Sequence, residues 1–71
     1  MAERQTREFT WGDWTITVTA EEAQGHWATP VGASALHSDG RREVMGVHAA
    51  NFESWESAFY AGFEAMKVGL K

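Results

Sequence analysis

A chain of 71 residues without cysteine is one domain with neither a disulfide framework nor a thiolate metal site. Its formal charge of −4 disfavours a nonspecific grip on nucleic-acid phosphates, although a local basic patch is still allowed. A domain this small buries only about 60% of the surface its unfolded chain exposes. Four Trp, four Phe and one Tyr must therefore supply much of the core.

Residues 1–6 are polar and mixed in charge, and they read as a frayed tail ahead of a single domain over residues 7–71. No apolar stretch follows them that would serve as a secretory signal or a membrane span. With the absence of cysteine, this points to a cytoplasmic location and to no membrane partner. The first strand is expected over residues 7–19. Trp14, Ile16 and Val18 alternate with Thr15, Thr17 and Thr19, the two-residue period of a half-buried strand. Phe9 and Trp11 lie in the other register, and Gly12-Asp13 marks the change of phase. A bulge at Gly12 would bring all five large residues to one face. A tight turn giving an extra strand is the alternative, and the shortness of 7–11 favours the bulge.

A polar connection over 20–25 leads to a second strand over about 26–37. Pro30 cannot donate a ladder hydrogen bond, so this strand is expected at an edge or broken near Pro30. Asp39-Gly40 suits a two-residue type I′ hairpin leading to a third strand over 42–49. That loop pairs His37 with Arg42, Ala35 with Val44 and Val31 with His48. One face then carries Val31, Ala33, Ala35, Val44, Gly46 and His48, and the other carries Ser34, Leu36, Met45, Val47 and Ala49. The small residues of the first favour it as the core face, and the opposite register stays open.

Beyond Asn51 the period changes. Trp55, Ala58, Phe59, Gly62, Phe63, Met66 and Leu70 recur every three or four residues and predict a helix over about 55–69. Ser54 is the expected N-cap with Asn51 competing, and Phe52 can staple back onto Ala58 or Phe59. Glu53 and Glu56 near its start and Lys67 and Lys71 near its end match the helix dipole. Gly62 on the apolar stripe costs about 1 kcal/mol in helix propensity, which close contact with the sheet, against a Trp, would justify. Phe59 and Met66 should meet Trp14 and Ile16. The expected fold class is α+β: a three-stranded antiparallel sheet with one C-terminal helix on one face, β-β-β-α.

The W-x-I-x-V strand, His26-Trp27 after a polar turn, the glycine-turn hairpin and Phe52-Glu53-Ser54 opening an Ala- and Gly-bearing helix resemble a class of short bacterial proteins of unknown function. The layout is also similar to the strand–strand–strand–helix part of HicB-type antitoxins, and to the plant ethylene-response DNA-binding domain. In the plant family, Arg and Trp side chains on the sheet read DNA. Here Thr15, Thr17 and Thr19 occupy that face, so no residue carries over. These resemblances imply a β-β-β-α fold and no activity.

Candidate chemistry is sparse. His26, His37 and His48 are eleven residues apart, and the proposed hairpin holds His37 and His48 too far apart for one ion, so no metal is expected. Glu21, Glu22, Asp39, Glu53 and Glu56 fall in loops or at a helix start, where solvation and capping explain them. Ser34, Ser38, Ser54 and Ser57 lack a nucleophile-elbow context, and Gly32, Gly40 and Gly46 are too dispersed for a phosphate loop. The expectation is a protein that is not an enzyme and has no cofactor. Trp14 and Trp55 read as core, with Trp11 and Trp27 less defined. Arg41 and Arg42, joined by Arg4 and Arg7, form the only basic cluster and offer a small phosphate or acidic contact; a solvated turn is the favoured reading. One helix covers one sheet face. The expected interaction surface is the other, with Thr15, Thr17, Thr19, Leu36, Met45 and Val47. The functional expectation is a binding module that self-associates through this face. A nucleic-acid-linked regulator of HicB type is the alternative.

Overall fold

The computed structural model describes residues 3–22, 27–46 and 51–70. Strands β1 (Arg4–Trp11), β2 (Trp14–Glu22), β3 (Ala28–His37) and β4 (Arg42–Gly46) form one antiparallel sheet in the order β1-β2-β3-β4, followed by helix α1 (Trp55–Leu70). The class is α+β with a C-terminal helix, but the sheet has four strands where three were expected.

The extra strand comes from residues 7–19, which form a hairpin and not one bulged strand. β1 pairs with β2 from Arg4–Glu21 to Trp11–Trp14, leaving Gly12-Asp13 as a two-residue loop. Gly12 has φ +61°, and no described residue other than glycine has a positive φ. Positive then negative φ is the pattern of a type II′ turn, which matches the twist of the flanking strands. Residues 4–6, expected in the tail, lengthen β1 to eight residues by pairing with Glu21, Ala20 and Thr19. The hairpin still gathers Phe9, Trp11, Trp14, Ile16 and Val18 on one face, because Phe9 opposes Ile16 and Trp11 opposes Trp14.

The β3–β4 register also differs from expectation by one residue. Ala33 pairs with Met45, Ser34 with Val44 and Leu36 with Arg42. The loop has three residues, Ser38-Asp39-Gly40: the Gly40 N–H donates to the His37 carbonyl at 2.9 Å, and the His37 N–H to the Arg41 carbonyl at 2.8 Å. Gly40 has φ +98°. This is a type I turn closed by a left-handed glycine, not the I′ turn, which would need a positive φ at Asp39 too. A slip of one residue moves every β4 side chain to the other face. Val44 and Met45 therefore exchange faces relative to the expected arrangement. The pairing expected for His48, and the faces expected for Val47 and Ala49, lie outside the described residues.

β3 lies inside the sheet, not at its edge. Pro30 is buried at an irregularity: Thr19 opposes Gly32 while Ala20 opposes Pro30, which leaves Val31 as the extra residue. A bulge is where a central strand can hold a residue lacking an N–H. Beyond it, Ala28 exchanges backbone hydrogen bonds with Phe52, at 2.9 and 2.7 Å, and this ties the segment before α1 to the sheet.

The helix lies across β2 and β3. Ile16, Val18, Ala20, Ala33 and Ala35 from the sheet and Ala58, Phe59 and Met66 from the helix are buried together. Trp14 packs against this core and Phe9 stacks on Phe63 at 4.5 Å between centroids. Ser54 caps the helix, its Oγ accepting the Ser57 N–H at 3.1 Å. Ser57 is the third residue beyond Ser54, as an N-cap requires. No described helix is long and apolar enough to cross a membrane.

Candidate functional site

The sheet face away from α1 is built by alternation. In β2, Ile16 and Val18 point to the helix, so Thr15, Thr17 and Thr19 point away. Their cross-strand partners share that face. Leu36 lies beside Thr15, Ser34 beside Thr17 and Gly32 beside Thr19. On β4, Arg42 continues the Leu36 row and Val44 the Ser34 row. On β1, Thr10 and Glu8 lie beside Thr15 and Thr17. β-Branched threonine suits a pleated surface while keeping a hydroxyl toward water.

This face is not flat. One shallow concavity of about 290 Å³ is lined by Glu8, Thr15, Thr17, Ser34, Leu36, Arg42 and Val44. A second of about 350 Å³ shares Thr17, Ser34 and Val44 and continues toward Thr19, Val31 and Gly46. Together they make a trough running diagonally over the sheet. Val44 is 77% exposed, Leu36 46% and Val31 37%, which makes three aliphatic side chains the open contact area. Hydroxyls frame them, and Glu8 and Arg42 stand at opposite edges.

Of the expected surface residues, the structure brings Thr15, Thr17, Thr19 and Leu36 together on this face. Met45 is corrected to the helix side. It opposes buried Ala33, packs on the core and has its methyl against Gly69. The cause is the one-residue slip at the Asp39-Gly40 loop. Val47 lies outside the described residues. Ser34 falls on this face as its alternation with Ala33 and Ala35 implied; Val44, Val31 and Glu8 were missed, and the loop length that would reveal Val44 turns on whether Asp39 adopts a positive φ.

The arginines do not form a cluster. Arg41 bonds Asp39 through Nε at 2.9 Å and lies 5.5 Å from the Trp14 ring centroid on the helix side. Arg42, next along β4, is on the open face. Arg4 is paired with Glu21 at the other end of the sheet, its Nε donating at 2.8 Å. Arg7 sits over Phe9 at 5.9 Å. Side-chain alternation separates Arg41 from Arg42, and strand length separates both from Arg4.

His37 and Asp39 have structural partners. His37 Nδ1 accepts the Asp39 backbone N–H at 3.1 Å, and its ring meets Trp14 edge-on at 4.8 Å. His26 and His48 lie outside the described residues. Among the described residues, no group of three His, Cys, Asp or Glu side chains is placed to hold a metal ion. Asp39 Oδ1 accepts the Arg41 backbone N–H at 2.9 Å. That bond, helped by the Arg41 guanidinium and, least, by His37, holds its carboxyl below the usual carboxylate range against an opposing desolvation. A depressed folded-state pKa stabilises the turn above the ordinary carboxylate range, and this is lost as pH falls through the lowered value. Carbon-13 NMR titration should show Asp39 protonating at lower pH than Asp in a peptide. Arg41→Ala keeps the backbone N–H and should return the titration only part of the way. An ordinary or raised Asp39 titration would contradict this geometry.

No protein-family model matches the chain, and comparisons with curated proteins and with solved structures gave no match.

Proposed function

We propose that this chain is a small, non-catalytic cytoplasmic binding module that self-associates through the open sheet face. The observation carrying this reading is the 77% exposure of Val44, beside Leu36 and Val31, on a sheet whose other side α1 covers. Contiguous exposed aliphatic area flanked by hydroxyls is characteristic of association surfaces. The threonines add hydrogen-bonding capacity at the rim. The separation of the arginines, with Arg4 and Arg41 each paired to an acid, weighs against the nucleic-acid reading, since such binders concentrate basic residues on one surface.

The test is sedimentation equilibrium over a wide concentration range, with circular dichroism as a folding control. Apparent mass should rise with concentration, and Val44→Glu should shift association to higher concentration while leaving the spectrum intact. Met45→Glu does not serve, because it places charge against the core. A wild-type chain that stays monomeric at millimolar concentration overturns self-association. Tight nucleic-acid binding with a steep salt dependence would favour the regulator reading.

A further inference from the structure

We infer that the partner on the open face is a second copy of this chain, docked about a two-fold axis parallel to the strands so that Glu8 of each copy meets Arg42 of the other. This deepens the self-association reading above and rests on it. Glu8 and Arg42 line the same concavity from the two edge strands, β1 and β4. Neither has an ion-pair partner among the described residues. Strand residues on this face include two cations, Arg4 and Arg42, and two anions, Glu8 and Glu21. A chain with formal charge −4 thus presents a face whose strand charges balance, which removes the repulsion that two like-charged copies would otherwise meet.

The axis follows from the placement of those charges. An isologous contact applies the same patch twice. With the axis along the strands, β1 of one copy lies over β4 of the other. Glu8 then faces the Val44 row, and Arg42 is one row away, roughly 7 Å along the strand and within the reach of an arginine side chain. The symmetric contact repeats at the opposite edge. With the axis perpendicular to the strands, β4 lies over its own copy, where the described open face offers Arg42, Val44 and Gly46 and no acid. Face-to-face sheets pack with strands nearly aligned, as this arrangement requires. Four strands about 4.8 Å apart and about six residues long would bury roughly 800 Å² across both copies. That is below the size of a standard stable interface, so the dimer should be weak.

The experiment compares Glu8→Arg, Arg42→Glu, their double variant, Val44→Glu and a 1:1 mixture of the two single charge variants, by sedimentation equilibrium and native mass spectrometry. Each single variant should weaken the homodimer by at least about tenfold, since two like-charge contacts replace two attractive ones. The double variant should restore it. The mixture should form a heterodimer more readily than either variant forms a homodimer, and added salt should weaken the wild-type dimer. Glu8, Arg42 and Val44 are all exposed, so circular dichroism should be unchanged for all four variants. If Val44→Glu abolishes association but the mixture gives no preferred heterodimer, the axis is wrong and the face still stands. If Val44→Glu and the charge variants all associate like wild type, another surface holds the copies together and the face is wrong as well.

Discussion

Phe59→Ala should remove about 3–5 kcal/mol of the chain's stability. Phe59 is 4% exposed, in the first half of α1, among Ala58, Met66 and the buried strand residues. Removing a buried phenyl ring costs about 3–5 kcal/mol, from lost transfer energy and from the cavity left behind. At 0.05–0.15 kcal/mol per residue, a chain this size has a total stability of about 4–11 kcal/mol, so the loss is a large share of the whole. Tyr60→Ala is the internal control. Tyr60 is next in sequence but 54% exposed, with T-shaped ring contacts to Phe9 and Phe63 at 5.8 and 6.2 Å between centroids. Its removal should cost about 1 kcal/mol, the scale of a surface aromatic pair. Urea denaturation followed by circular dichroism measures both. Equal losses, or a Phe59→Ala loss below about 1 kcal/mol, would mean that the helix presents a different face to the sheet.

The helix, its cap and the core face of β2 were legible in the sequence because each rests on a strong local period or a side chain that bonds its own neighbourhood. Ile16 and Val18 alternate with threonine, and Ser54 lies three residues before the N–H it caps. The strand count and the β3–β4 register were not legible, for a common reason. Each depends on a turn whose type the residue types alone do not fix. Gly12 tolerates a bulge or a II′ turn equally well, and the deciding evidence is the pairing of residues 4–6, which have no apolar residue to signal a strand. Asp39-Gly40 fits both a two-residue I′ loop and the last two positions of a three-residue loop. The second wins here: the Asp39 side chain accepts the Arg41 N–H, its backbone keeps a negative φ, and Gly40 alone turns left-handed. That one residue transferred Met45 to the core and Val44 to the open face. Thr15, Thr17, Thr19 and Leu36 of the candidate surface were therefore visible in the sequence, while its most exposed aliphatic residue, Val44, was not.

Gly62→Val should cost about 2–3 kcal/mol even though valine is the better helix former, in the upper part of the range for an overpacked core. The close approach expected at Gly62 exists, but the partner is Val18 and not a tryptophan. A Cβ at position 62 would stand 2.5 Å from Val18 Cγ1 and 3.4 Å from Cγ2. Val18 is fully buried on an inner strand, so a rotation that turned its Cβ hydrogen toward position 62 would drive a methyl into the surrounding packing. Relief requires the helix to lift, which loosens Phe59 and Met66 as well. Gly62→Ala poses the same clash at its smallest and offsets it with about 1 kcal/mol of recovered helix propensity. Its net effect should be smaller than that of valine and still destabilising. The decisive comparison is Gly62→Ala in a Val18→Ala background, where both obstructing methyls are gone. There the alanine should stabilise relative to Val18→Ala alone, reversing its sign. Such a reversal is the coupling expected of two residues in direct contact and not of distant ones. Denaturation midpoints of the four proteins in this cycle decide the matter, and additive effects would place the helix farther from β2 than the Gly62–Val18 contact requires.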